Sequence, residues 1–310
     1  MELTKPAHPR PSSSIILVSP KNDILMLKRT PSSSSYPSAW VFPGGNLSLE
    51  QDGTNNDTTH RDSPMYRISA IRELFEETGI LLVKPINGPS VMVKHRGYMM
   101  AEGDRERGRL LVHSGQIRFS EWLRERGFVP DTDSLIPFTR WITPVNLRRR
   151  FTTQMYLYFL RPTTEFSANT TIPHPTPDGG KEHVSVEIKA PSLILMDAQA
   201  GSNLLMTPQF YLLNILSGFL NGSRGVVQDR QALLEYLSET SLGDRVICAF
   251  VTRTLPDGKV VLSLERSGPE VDVDGSGRKG DATRSIIMIP GAKDSKGMDL
   301  VDRNRFAETL

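Results

Sequence analysis

Apolar and polar positions change period several times along this chain. Residues 14–18 and 24–27 are short apolar runs separated by Pro20, Lys21, Asn22 and Asp23, a turn composition, and together they predict a β-hairpin. Residues 40–42 predict a short strand that Pro43, Gly44 and Gly45 bring to an end. From 64 to 78 the spacing becomes helical. Ile68, Ile71, Leu74 and Phe75 form one stripe, Pro64 suits the first helical position and Gly79 suits the C-cap. Further on, 80–83, 138–143, 155–160, 184–188 and 286–289 read as strands, and 119–126, 208–221 and 229–238 as helices. Residues 246–251 and 260–264 flank Pro256, Asp257 and Gly258, which predicts a second hairpin.

Stretches 31–38, 51–64, 173–180 and 267–283 are rich in Ser, Asn, Asp, Gly or Pro and predict loops with little to bury. The remainder of 84–140 has no clear period. The order β, α, mixed β, α, β predicts an α/β sandwich or α+β domain and not regular βαβ winding. The expected organisation is a flexible tail over 1–13 and one domain over 14–222, with insertions at 46–63 and 84–140. A C-terminal extension over 223–310 is expected to pack on that domain.

Composition narrows the function classes. Lys and Arg number 37 against 35 Asp and Glu, a net charge of +2, so the chain lacks the clustered excess of positive charge that a nucleic-acid surface needs. Its one cysteine, Cys248, excludes an internal disulfide and a cysteine metal site, and suits a reducing compartment. The best apolar run, 210–220, is interrupted by Asn214 and falls short of the roughly 20 residues of a spanning helix. The first residues lack a signal-peptide core. The expectation is a soluble, intracellular, by default cytoplasmic protein that binds neither nucleic acid nor membrane.

The chemistry concentrates at Arg72, Glu73, Leu74, Phe75, Glu76, Glu77, Thr78, Gly79 and Ile80. At about 100° per residue, Glu73, Glu76 and Glu77 fall within an arc of about 100°. Carboxylates on one face repel, and near a helix C-terminus the dipole disfavours them as well. A divalent cation turns both penalties into attraction, and carboxylate oxygens suit Mg²⁺ or Mn²⁺. A solvated acidic face is the competing reading.

This segment resembles the second half of the Nudix box: Gly, five residues, Glu, seven residues, then Arg-Glu-U-x-Glu-Glu-x-Gly-U, where U is bulky and aliphatic. Phe42, Pro43, Gly44 and Gly45 are similar to its usual opening. The resemblance implies a Nudix hydrolase with a Nudix-type α/β/α sandwich, a mixed central sheet and a small-molecule diphosphate substrate. It implies that Glu76 and Glu77 bind Mg²⁺ or Mn²⁺. Glu73 would be a further ligand or the base for the attacking water, and Arg72 would hold Glu73. Gly44 and Gly45 would turn the loop against the helix beside the substrate. Thirteen residues more than the pattern allows separate Gly45 from Arg72. The glutamate of the middle of the box has no secure counterpart, Glu50 being the nearest.

Many Nudix enzymes add a carboxylate before a later strand. Here Glu182 is the candidate and Glu187 its competitor, while His183 reads as a surface histidine. Residues 138–144, then Arg149, Arg150 and Phe151, then Thr207 to Tyr211, resemble the eukaryotic coenzyme A and acyl-CoA diphosphatase subgroup. That implies cleavage of CoA or acyl-CoA to 3′,5′-ADP and (acyl-)phosphopantetheine, with Arg149 and Arg150 on substrate phosphates. Trp141, Phe210 and Tyr211 would stack a base, line an acyl channel or fill the core. Members typically read Arg-Arg-Phe-Asp-Thr-Arg, whereas this chain has Thr152 and Gln154 at the fourth and sixth places. The peroxisomal C-terminal signal frequent in the subgroup is absent from Glu308, Thr309 and Leu310. The alternatives are another diphosphate (a prenyl diphosphate, nucleotide sugar or dinucleotide) or a catalytically silent binding module.

Overall fold

The computed structural model describes residues 7–33, 36–53, 61–87, 100–162, 175, 182–273, 276–289 and 295–303. In chain order, β1 (Arg10–Val18), β2 (Ile24–Arg29), β3 (Ala39–Val41) and β4 (Gly44–Asn46) lead to α1 (Leu49–Asp52) and α2 (Pro64–Thr78). Then come β5 (Val83–Pro85), α3 (Glu102–His113), α4 (Phe119–Glu125), β6 (Phe128–Pro130), β7 (Ile136–Ile142), β8 (Phe151–Phe159) and β9 (His183–Lys189). Next are α5 (Pro191–Gln199), β10 (Leu204–Leu205), α6 (Thr207–Phe219), α7 (Val226–Thr240), β11 (Val246–Ile247) and β12 (Phe250–Thr254). The last are β13 (Val260–Leu264), α8 (Pro269–Val273), β14 (Asp281–Met288) and β15 (Asp299–Asp302).

The main sheet is mixed, in the order β10-β3-β2-β1-β8-β7-β11, with β4 added to β1 and β9 to β2. At its centre β1 runs parallel to β8 from Arg10↔Phe151 to Val18↔Phe159. The apolar end of β1 is continuous because both faces are covered. Ile15 and Leu17 join Tyr156 and Tyr158 of β8 under α2, α3 and α4, while Ile16 and Val18 join Met155 and Leu157 under α5, α6 and α7. That is the expected α/β/α sandwich.

β12, β13, β14 and β15 form a separate antiparallel sheet, and its Leu262, Leu264 and Ile286 enter the core under α6 and α7. Among the described residues no helix is long and apolar enough to cross a membrane.

Several elements differ from the sequence reading. The polar residues 10–13, expected in a tail, belong to β1. The serines of β1 lie between β4 and β8: Ser14 Oγ donates to Pro43 O at 2.8 Å, and Ser12 Oγ lies 2.6 Å from Thr153 Oγ1 of β8. The expected strand at 80–83 is paired only from Val83, against Pro130 of β6. The expected strand over 246–251 divides: Val246 and Ile247 pair with β7, Cys248 N–H turns to Arg266 O at 2.7 Å, and β12 then enters the second sheet. Helices α1, α3 and α5 lie where the pattern predicts no helix. Inside 267–283, expected as loop, stand α8 and the start of β14, and β15 follows the strand expected to be last. Of the loop expected at 173–180, only Pro175 lies within the described residues.

Candidate active site

Helix α2 starts at Pro64 and ends at Gly79, whose positive φ of 70° lets its N–H return to Phe75 O at 2.8 Å. Tyr66, Ala70, Ile71, Leu74 and Phe75 face the core, with Ile68 half-buried beside them, so Glu73, Glu76 and Glu77 share a different face. The carbonyls left open by the last turn are met from α3. Arg109, itself buried, donates from Nε to Glu76 O at 2.7 Å and from Nη2 to Glu77 O at 2.8 Å. A guanidinium at this end offsets the dipole that would otherwise oppose the carboxylates.

Arg72 organises the start of the cluster. Its Nε and Nη2 donate to the two oxygens of Asp52 at 2.7 and 2.9 Å, and its Nη1 reaches Glu73 Oε1 at 2.9 Å and Glu76 Oε1 at 3.0 Å. Asp52 is 2% exposed and also accepts from Ser48 N–H at 2.8 Å, which ties the first turn of α1. An acid of α1 thus holds the arginine that opens the Arg72–Glu77 cluster. Glu50, the nearest sequence candidate for the mid-box glutamate, is exposed, while Asp52, inside the stretch read as a surface loop, is buried. Ser48, the N-cap that accepts from Gln51 N–H at 3.3 Å, marks the start of α1, but nothing in the polar run marks Asp52 as buried.

Gly44 and Gly45 lie against this face. Gly44 N–H donates to Glu77 Oε2 at 2.8 Å. A Cβ on Gly45 would sit 2.5 Å from the Glu73 carboxylate, so only glycine permits the approach. Burial pushes the Glu73 carboxyl up to about 7, with Arg72 opposing and Glu76 and Asp52 adding to the rise. Burial raises Glu77 well above the usual carboxylate range too, helped by Glu73 and opposed by the Gly44 N–H. Glu76 Oε2 lies 3.1 Å from His113 Nδ1, contributed by α3.

From the other side come Glu182, just before β9, and His183, its first residue. The ligand atoms of Glu77, Glu182 and His183 all lie within 4.8 Å of one another. Glu182 rather than Glu187 therefore stands at the cluster. His183, read from sequence as a surface residue, is fully buried, with Nε2 3.6 Å from Glu77 Oε1. His183 starts β9, paired with Arg29 of β2, and its ring is turned toward Glu77 of α2. Arg72 faces Asp52, Glu73 and Glu76, and Arg29 lies near Glu77, so five carboxylates with Glu182 outnumber the arginines beside them. The donor set is rich in oxygen and short of positive charge, and it fits a divalent cation.

The carboxylate face opens into a cavity of about 1450 Å³ whose lining also includes Gly44, Gly45, Trp141, Arg149, Glu182 and Arg266. Its apolar wall includes Val145, Leu147 and Val251, each between 44% and 56% exposed. Arg266 stacks on Phe250, 4.1 Å from the ring centroid.

The two arginines expected on substrate part company. Arg149 is exposed and lines the cavity. Arg150 does not: its side chain is 1% exposed, Nη1 pairs with Glu270 at 2.6 Å, and Nε and Nη1 donate to Thr143 O and Ala7 O at 2.9 and 2.8 Å. Its expected phosphate contact is corrected to a structural ion pair. Thr152 and Gln154, the departures from the subgroup, are 0% and 2% exposed and do not line the cavity; Gln154 donates to Thr139 O at 3.2 Å. Phe210 and Tyr211 are core residues, and Trp141 meets Tyr211 edge-on at 5.5 Å while also lining the cavity.

A family model described as the NUDT19 Nudix domain matches residues 49–216. Acyl-coenzyme A diphosphatase NUDT19 of Xenopus laevis is 29% identical over 240 residues, covering 64% of this chain and 60% of that protein. Putative nudix hydrolase 7 of Caenorhabditis elegans is 29% identical over 213 residues, covering 67% and 60%. The chain thus spans about 60% of the length of these curated relatives. A crystal structure of a NUDIX hydrolase from Alicyclobacillus acidocaldarius is similar with a TM-score of 0.53 at 19% identity, covering 69% of this chain and 93% of that one, a likeness of fold. With its box residues gathered on one face of α2 and the family model covering more than half of the sequence, the chain belongs to the Nudix hydrolase family, in its NUDT19-type branch.

Proposed function

We propose that the chain is a divalent-metal-dependent diphosphatase that hydrolyses coenzyme A or acyl-CoA to 3′,5′-ADP and (acyl-)phosphopantetheine. The observation that carries this reading is a cavity that joins the Glu73, Glu76 and Glu77 face to exposed apolar side chains and to Arg149 and Arg266, with Arg10, Arg29 and Arg72 also on its wall. A substrate matching it has a diphosphate, an apolar arm and a further anionic group.

Glu73, Glu76, Glu77 and Glu182 would hold Mg²⁺ or Mn²⁺. Bound there, the ion neutralises diphosphate charge and lowers the pKa of a water that it binds. Arg72 fixes the rotamers of Glu73 and Glu76 through its two-sided contacts. Glu73, close against Gly45, serves either as a further ligand or as the base that takes the proton of the attacking water. A P–O bond of the diphosphate breaks, and the leaving phosphate oxygen carries away the electron pair. Arg149 and Arg266 hold the remote anionic groups, and Val145, Leu147 and Val251 exclude water from the apolar arm.

The same apolar wall also suits a prenyl diphosphate, which is the second reading. A product-mass screen over CoA, acyl-CoA, dephospho-CoA, nucleotide sugars, dinucleotides and prenyl diphosphates separates them. Release of 3′,5′-ADP from CoA esters, abolished by EDTA, is the expected result. Turnover of prenyl diphosphates or nucleotide sugars alone overturns the CoA assignment and leaves the diphosphatase chemistry in place.

A further inference from the structure

We propose that His183 is itself a ligand of the metal site, so that an imidazole nitrogen stands among the carboxylates and favours Mn²⁺, Co²⁺ or Zn²⁺ over Mg²⁺. The inference rests on reading the Glu77 face as a metal site. His183 opens β9, and its pairing with Arg29 of β2 follows a register shift between Lys28 and Arg29. An irregularity of that kind re-aims a side chain. Here the side chain is fully buried and directed at α2.

The 3.6 Å between His183 Nε2 and Glu77 Oε1 is too long for a hydrogen bond. It matches two donors that share one ion: ligands about 2.1 Å from a cation lie roughly 3–4 Å apart. Glu182 completes the group within 4.8 Å and is exposed, so one side of the site stays open to the cavity. Oxygen-only sites suit Mg²⁺, whereas imidazole raises affinity for later divalent ions. A buried His183–Glu77 ion pair without a metal role is the competing account, and it predicts no bond between nitrogen and metal.

The test loads the full chain with Mn²⁺ and reads electron spin-echo modulation. Modulation from ¹⁴N in the wild-type protein is the expected result, and it needs no variant to fold. His183→Gln replaces the nitrogen by an amide oxygen, and its fold is checked by circular dichroism. Calorimetry should then show Mn²⁺ affinity falling about 10- to 100-fold, with Mg²⁺ affinity changing by less than about threefold. Bound Mn²⁺ without ¹⁴N modulation, or equal losses for both ions, overturns the role of His183 and leaves the carboxylate site standing. A wild-type protein that binds no divalent ion overturns the metal site itself.

Discussion

Arg72 and Asp52, twenty residues apart, meet in a buried two-point ion pair at 2.7 and 2.9 Å. That fork holds the box helix to the loop that follows β4. Asp52→Ala removes the two-point partner of a buried guanidinium, which keeps its Nη1 contacts to Glu73 and Glu76, and releases Ser48 N–H. Removing one partner of a buried pair costs about 3–5 kcal/mol. Urea denaturation should show a loss of that size. A loss under about 0.5 kcal/mol, the size of an ordinary surface change, would show that Asp52 is not what holds Arg72.

Gly45→Ala should separate stability from activity. The added Cβ meets the carboxylate end of Glu73, which can swing away, so the melting temperature should change little. Displacing a positioned catalytic group by about 1 Å costs on the order of 100-fold in turnover. Comparing kcat with the melting temperature of this one variant reads both effects. Unchanged kcat would remove Glu73 from the reacting geometry.

The carboxylate face makes a third prediction. Glu76→Gln should lower kcat by a hundredfold or more and leave the circular dichroism spectrum unchanged. EDTA should abolish wild-type turnover, and Mg²⁺ or Mn²⁺ should restore it. Without metal, the variant should melt close to the wild type, because relief of repulsion from Glu73 and Glu77 offsets the weakened contacts to Arg72 and His113. Full activity in the variant would show that Glu76 holds no essential ion.

Legibility followed the density of local signal. The stripe of α2, its Pro64 start and its Gly79 stop were written in consecutive residues, so the carboxylate face was readable in advance. Asp52 was not, because nothing local distinguishes a buried acid in a polar run from a solvated one. Its burial depends on Arg72, twenty residues further on. His183 was misread for a similar reason. A histidine beside exposed loop residues looks like surface until the strand register turns it inward. Arg149 and Arg150 are indistinguishable in sequence, and only the ion pair with Glu270 tells wall from interior. Helix α3, which delivers Arg109 and His113 to the site, has a weak apolar stripe and a charged face, so its period did not stand out.

Acid stability should depend on Asp281, which joins β14 to α6. Burial opposes its ionisation, yet hydrogen bonds from Thr283 and Tyr211, with Arg284 beside them, hold it down at about 2. A carboxyl depressed by folding stabilises fully above its unfolded pKa of about 4, and the contribution fades as pH falls through about 2. The difference amounts to about 2–3 kcal/mol. Urea melts of the wild type and Asp281→Asn should therefore converge between pH 5 and pH 2. A gap that stays constant over that range would assign the acid sensitivity to other groups.

The neighbouring arginines should separate most clearly. Arg150→Ala breaks a 2.6 Å pair and leaves Glu270, only 12% exposed, without its guanidinium. It should cost about 3–5 kcal/mol in stability, with activity lost only as the fold is lost. Arg149→Ala removes an exposed side chain of the cavity wall and should change stability by less than about 0.5 kcal/mol. Its effect belongs to substrate. CoA carries a 3′-phosphate beside its diphosphate, and a charge-assisted hydrogen bond to that group is worth about 1.5–3 kcal/mol. Arg149→Ala should lower kcat/KM for CoA roughly 10- to 150-fold and change dephospho-CoA far less. Equal losses on the two substrates would show that Arg149 does not read the 3′-phosphate, and Arg266, stacked on Phe250 in the same cavity, would be the cation to substitute next.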